Sequence, residues 1–238
     1  ILGDKTRMER LAADPRAFIR PSPAATTLGG VARRSHETLL LCEAAGFDVV
    51  LVETVGVGQS ETLVSDLVDT FVLLLLPGAG DELQGIKRGI VELADVLAVN
   101  KCDADRSKAK RAALEYRAAL HYLRPRTPGW TPPVRLLSGE TGEGLDALWT
   151  GVSEHRQALE SAGRLQGQRQ EQGRRRLWQL LHEGLIAAFR QTHGAEERLA
   201  ALEAAVQAGT TTPGRAAQEL LRAFAGEGGE RGAPPSSA

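Results

Sequence analysis

At 238 residues, with a formal net charge of −1, 42% hydrophobic and 25% charged side chains, the chain has the profile of a soluble globular protein of one large domain, or of one domain with an accessory segment. The near-neutral balance points to neither nucleic acid nor an anionic membrane surface, and no apolar run approaches the roughly 20 residues that a bilayer span needs. Two cysteines, Cys42 and Cys102, are too few for a disulfide framework or a Cys-x-x-Cys metal knuckle, so a reducing, cytoplasmic setting is expected.

The chain opens on Ile1, and its only methionine is Met8. ILGDKTRM reads as the middle of a domain rather than as a leader, so the sequence is expected to be a fragment lacking an N-terminal portion. Up to about residue 153, short apolar runs alternate with longer amphipathic ones. Strands are expected at 18–20, 48–54, 70–77, 96–100 and 134–138, of which the second to fourth are nearly continuous Val, Leu and Ala. That pattern suits strands buried on both faces of a parallel sheet. Helices are expected at 28–45, stopped by Gly46, then at 85–94 and 104–123. The alternation implies βαβ units and a doubly wound, mostly parallel α/β sheet.

A Thr/Pro/Gly-rich connection at 127–133 leads to the last strand, and Gly144 opens another helix. From residue 154 to 226 only helical periodicity remains. Leu177, Leu181, Leu185 and Ala188 mark one face, widened by Trp178, Ile186 and Phe189, with shorter helices at 195–208 and 213–225. The Gly/Pro/Ser-rich tail, 227–238, is expected to be disordered.

In open α/β sheets, ligands bind beyond the carboxyl ends of the strands. The residues there are Glu53-Thr54-Val55-Gly56, Pro77-Gly78-Ala79-Gly80-Asp81, Asn100-Lys101-Cys102-Asp103 and Ser138-Gly139-Glu140. Asn-Lys-x-Asp at a strand end has a specific use. Its carboxylate accepts two N–H bonds from the guanine edge that adenine cannot supply, while the Asn fixes the loop and the Lys stem lies across the ring. A site built to hydrogen-bond a group strongly rejects analogues lacking it, so Asn100, Lys101 and Asp103 form a candidate guanine filter. The bland alternative is a helix N-cap at Asp103 beside a surface lysine. Glu53, at the end of DVVLVET, is placed to hold a hydrated Mg²⁺ near phosphates. Gly56 would admit a terminal phosphate to the backbone, and Gly58 would let the segment rearrange.

ILGDKTRM, FIRPSP, TLGGVARRSHETLLLCEAAGFDVVLVETVGVGQSE, LPGAGDELQGIKRGIVELAD and VNKCD together resemble the MeaB/ArgK/MMAA family. Its members are P-loop GTPases that act as chaperones of adenosylcobalamin-dependent methylmalonyl-CoA mutase. The resemblance implies a P-loop NTPase-type sheet followed by an all-helical C-terminal arm, with a GTPase domain over 1–153 and a dimerisation arm over 154–226. It also implies GTP or GDP and Mg²⁺ as cofactors and a homodimer serving the mutase. By the same resemblance Asp4 is a switch I acid near Mg²⁺, and Glu53 and Gly56 belong to the Walker B and switch II element. Asp81, Glu82, Gln84 and Lys87 fall in a third switch loop that communicates with the mutase. Ser138, Gly139 and Glu140 touch the base from the other side, and Gln59 is the candidate for positioning the attacking water.

One element departs from that pattern. No G-x-x-x-x-G-K-[ST] occurs in these residues, so the phosphate cradle is expected upstream of Ile1. Two alternatives remain: a nickel-inserting metallochaperone GTPase, which would need a Cys/His cluster, and a non-hydrolysing scaffold. The five histidines, His36, His121, His155, His182 and His193, show no metal-binding spacing and are expected in ordinary core or surface roles. Arg174-Arg175-Arg176 reads as a solvated helix face, Cys102 as a packing residue, and Trp149 and Trp178 as core or dimer anchors.

Overall fold

The computed structural model describes residues 8–21, 28–54, 64–78 and 88–230. The elements are α1 (Glu9–Ala12), α2 (Leu28–Ala44), β1 (Val72–Leu75), α3 (Arg88–Leu93), β2 (Val96–Val99), α4 (Arg106–Leu120), β3 (Val134–Leu136), α5 (Leu145–Ser161), α6 (Leu165–Arg190), α7 (Ala195–Gln207) and α8 (Pro213–Glu230). The chain forms two compact units, Ile1–Arg174 and Arg175–Ala238, whose boundary falls within α6.

The first unit is built on a three-stranded parallel sheet in the order β1-β2-β3. Its central strand, Val-Leu-Ala-Val, is buried at every position, as a strand covered on both faces must be. Leu97 and Val99 join Leu73, Leu75 and the α4 face Ala109, Ala112, Ala113 and Tyr116 in one core. The spacing of that face, i, i+3, i+4 and i+7, is the helical one, and three alanines let α4 lie close to the sheet. On the other side, Gly151 of α5 lies against Val96; a Cβ there would sit 3.6 Å from Val96 Cγ1 and 3.3 Å from Pro133 Cγ. Gln168 and Gln172 of α6 donate to the carbonyls of Asp69 and Val68. Arg169 forks onto the Asp69 carboxylate and also reaches Glu43 of α2.

A buried polar network closes the amino-terminal edge of the sheet. Asp95, just before β2, is 1% exposed. One carboxylate oxygen accepts from Phe71 N at 2.9 Å and from Arg126 at 3.1 Å, and the other accepts from the Thr127 hydroxyl at 3.2 Å. His155 of α5, fully buried, lies between Thr70 Oγ1 at 2.8 Å and Thr127 Oγ1 at 3.0 Å. A neutral imidazole carrying its proton on Nε2 satisfies every partner: Nε2–H donates to Thr127, whose hydroxyl donates to Asp95, and Thr70 donates to Nδ1. Burial pushes the His155 pKa down, against the pull of the Asp95 carboxylate and with the help of the Arg126 guanidinium. Because the folded value lies below the unfolded one, near 6.5, the stabilisation is complete above about pH 6.5 and is lost as pH falls from there toward the folded value. The melting temperature is expected to drop between pH 7.5 and 5.5, and His155→Gln to flatten that slope in a thermal denaturation series.

Several expected elements differ. Neither 18–20 nor 48–54 is a strand; Val49 and Leu51 are 49% and 85% exposed. An apolar run reports β-propensity but not a partner, and a strand exists only by pairing. Among the described residues no strand pairs with the outer side of β1, where Leu74 is 57% exposed. Helix α8 continues to Glu230, past its expected end at 225, since glycine lowers helix propensity without forbidding a helix.

In the second unit, Phe189 of α6 meets Phe224 of α8 edge-on, with ring centroids 6.0 Å apart. Leu177, Trp178, Leu181, Leu185 and Ile186 lie exposed along α6. Arg174, the last residue of the first unit, pairs with Glu171, whereas Arg176 of the second is buried and donates to Gln179, so the arginine run is only partly a solvated face.

Candidate functional site

The loops that follow β2 and β3 are braced onto each other. Asn100 N donates to Leu75 O at 2.7 Å, extending the sheet by one residue. Its side-chain Oδ1 accepts from Lys101 N at 2.8 Å and from Gly139 N at 3.0 Å, so one amide group holds both loops. Cys102 N donates to Leu137 O at 3.0 Å, and the thiol sits in the core at 0% exposure. Burial pushes that thiol's pKa up, so packing is its role. Lys101, two residues past β2, takes a φ of +60°, which a side-chain-bearing residue adopts at a cost.

Asp103 is exposed, and no hydrogen bond or ion pair engages its carboxylate among the described residues. The N-cap of α4 is Asp105, two residues on, whose carboxylate accepts from Lys108 N at 2.9 Å. The bland reading of Asp103 as a helix cap is thereby removed. A neighbouring acid caps the helix, and Asp103 is left to face solvent.

The loop after β3 is equally fixed. Ser138 is fully buried, its hydroxyl accepting from Thr141 N at 3.1 Å and its amide donating to Glu143 O at 2.9 Å. Gly144, at φ +81°, has no room for a Cβ, which would collide with the Leu136 carbonyl oxygen. Arg106, the first residue of α4, pairs with Glu143 and ties the two loops together again. The sequence offered one signal for that pair: a cation in the first turn of a helix opposes the macrodipole and so calls for an external acid.

Asn100, Lys101, Asp103, Ser138, Gly139 and Glu140 are thus brought to one edge of the sheet. Glu53 lies outside any helix or strand as an exposed carboxylate with no partner among the described residues, a ligand type suited to a hard cation. Asp4, Gly56, Gln59, Asp81, Glu82, Gln84 and Lys87 lie outside the described residues.

A parallel α/β sheet with an Asn-clamped double loop and an exposed Asp at its carboxyl edge fits a class, the guanine-nucleotide-binding proteins of the P-loop fold. A solved structure described as a LAO/AO transport system kinase superposes with a TM-score of 0.75 at 37% identity, over 89% of this chain and 67% of that one. The family model described as methylmalonyl Co-A mutase-associated GTPase MeaB matches residues 1–194, and the chain belongs to this family. It is 54% identical to a putative GTPase of Caulobacter vibrioides, over 94% of this chain and 69% of the relative. It is 46% identical to the mouse methylmalonic aciduria type A homolog, mitochondrial, over 94% of this chain and 54% of that protein. To the Escherichia coli GTPase ArgK it is 50% identical over 72% of this chain and 52% of the relative. The chain therefore spans between about half and two thirds of the length of these relatives.

Proposed function

We propose that the full-length protein containing this chain binds and hydrolyses GTP and serves as a chaperone of an adenosylcobalamin-dependent methylmalonyl-CoA mutase. The observation that carries the nucleotide reading is the exposed Asp103, unpartnered among the described residues, beside Asn100, whose single carboxamide oxygen clamps both base-facing loops. Asp103 accepts the two N–H groups of the guanine edge, and the Lys101 stem covers the ring. Because the Gly139 amide is already engaged by Asn100, the contact to the guanine carbonyl is assigned to the Glu140 amide. Mg²⁺, when bound, neutralises phosphate charge; Glu53 would hold it together with Asp4. Gly56 and Gln59 are assigned to the phosphate and the attacking water, and Asp81, Glu82, Gln84 and Lys87 to contact with the mutase. The name of the matching family supports the choice of mutase. The exposed apolar stripe of α6 supports a homodimer. No helix among the described residues is long and apolar enough to cross a membrane, and we assign the protein to the cytoplasm.

Most of the phosphate-binding free energy of a P-loop GTPase comes from its Gly-rich loop and lysine, a motif these 238 residues do not contain. Phosphate release measured with GTP is expected to show turnover for the full-length protein and none above a buffer blank for residues 1–238 alone. Turnover by the isolated chain would overturn the assignment of Glu53 and Gln59 to an incomplete centre. In the full-length protein, Gln84→Ala combined with Lys87→Ala is expected to abolish stimulation of hydrolysis by the mutase while leaving the basal rate.

A further inference from the structure

We propose that a cavity at the amino-terminal edge of the sheet is a second ligand site, which takes a small organic anion with an apolar or aromatic body. The cavity has a volume of about 460 Å³ and lies between α3, the end of α4 and residues 123–134. Ala94 and Val134, which line it, precede β2 and begin β3. The guanine loops follow the other ends of the same strands, so the two sites are separated by the length of the sheet.

The floor is apolar: Val91, Ala94 and Val134 are 3%, 2% and 2% exposed. One wall is Trp130, held by two contacts. Its Nε1 donates to the Asp95 carbonyl at 2.8 Å, and its ring lies 5.2 Å from that of His155. Residues 125–133 carry four prolines, Pro125, Pro128, Pro132 and Pro133. This wall is therefore preformed, and binding need not order it.

The polar lining is mostly basic. Arg117 is pinned to the cavity by donating to Val134 O at 2.9 Å, which leaves the rest of its guanidinium fork free of any ion pair among the described residues. Arg124 and His121 line the same cavity, and their side chains have neither hydrogen-bond nor ion-pair partners among the described residues. Glu92, the one acid on the lining, has a partner of its own. Basic residues after a helix also complement its macrodipole, which accounts for their presence near the end of α4. It does not account for their place around an apolar floor beside a fixed indole. Two guanidiniums over such a floor match a carboxylate or phosphate head on an apolar body.

The test uses the full-length protein, labelled with ¹⁵N at its tryptophan indoles and saturated with GDP so that the guanine site is constant. The probe is 4-phenylbutyrate, compared with its neutral isostere 4-phenylbutanol. The Trp130 indole resonance, assigned by its disappearance in Trp130→Phe, is expected to shift saturably with phenylbutyrate in the millimolar range, while the Trp149 and Trp178 resonances stay in place. Phenylbutanol is expected to bind at least tenfold more weakly. Arg124→Ala, at an exposed position whose side chain has no partner among the described residues, is expected to weaken phenylbutyrate binding severalfold and to leave the alcohol unaffected. Equal binding of acid and alcohol, no saturable shift at Trp130, or an undiminished affinity in both Arg124→Ala and Arg117→Met would each overturn the proposal. The unshifted indoles report that the variants remain folded.

Discussion

Asp103→Asn in the full-length protein is expected to lower the affinity for GDP and GTP by on the order of 10⁴-fold and to transfer the preference to xanthine nucleotides. The carboxylate offers two acceptors to guanine N1–H and its exocyclic amine, whereas a carboxamide presents one donor that meets those hydrogens head-on. Sites built around a ligand hydrogen bond discriminate by this order when the complement is lost. Xanthine replaces the amine by a carbonyl, to which the new amide donates. Since Asp103 is exposed and makes no contact of its own among the described residues, the substitution should leave stability within about 0.5 kcal/mol of the parent. Asp105→Ala is the counterpart: loss of the α4 cap is expected to cost about 1 kcal/mol with the guanine preference intact. Direct titration with labelled GDP and with labelled XDP reads both variants, and an unchanged GDP affinity in Asp103→Asn would remove Asp103 from the base site.

Asp95→Ala is expected to be the most destabilising single change in the first unit, by about 3–5 kcal/mol. It orphans the Phe71 amide and removes one partner each from the Arg126 guanidinium, which keeps the Ser65 carbonyl, and from the Thr127 hydroxyl, which keeps His155, and a buried group left unsatisfied retains its full desolvation cost. At roughly 2–4 °C per kcal/mol for a chain of this length, the melting temperature should fall by about 10 °C. Asp95→Asn keeps one acceptor and should lie between the two. A melting temperature within a degree or two of the parent in Asp95→Ala would show that the network is dispensable.

The parts of this molecule that announce themselves in sequence are those set by local pattern. The all-apolar run of β2, the alanine face of α4 and the Asn-Lys-x-Asp at the strand end each follow from period or residue chemistry within a few positions. What stayed hidden depends on partners distant in the chain. The 48–54 run reads as a buried strand from its own residues, yet Leu51 lies exposed because no described neighbour pairs with it. Asp95, Thr127 and His155 sit 28 to 60 residues apart and carry no spacing that foretells one network. His155 was expected in an ordinary role and has one, as a buried member of a polar clasp. Trp149, expected as a core or dimer anchor, is half exposed, because its place on α5 turns it away from the sheet that the helix covers.

Cys102 stands between Lys101 and Asp103, yet its sulfur is sealed in the core. A thiol-specific reagent can reach it only when the loop lifts away from Leu137. The rate of its alkylation, with Cys42 replaced by serine, is therefore a clock built into the proposed base site: it counts the openings of that loop, and a bound nucleotide should slow it.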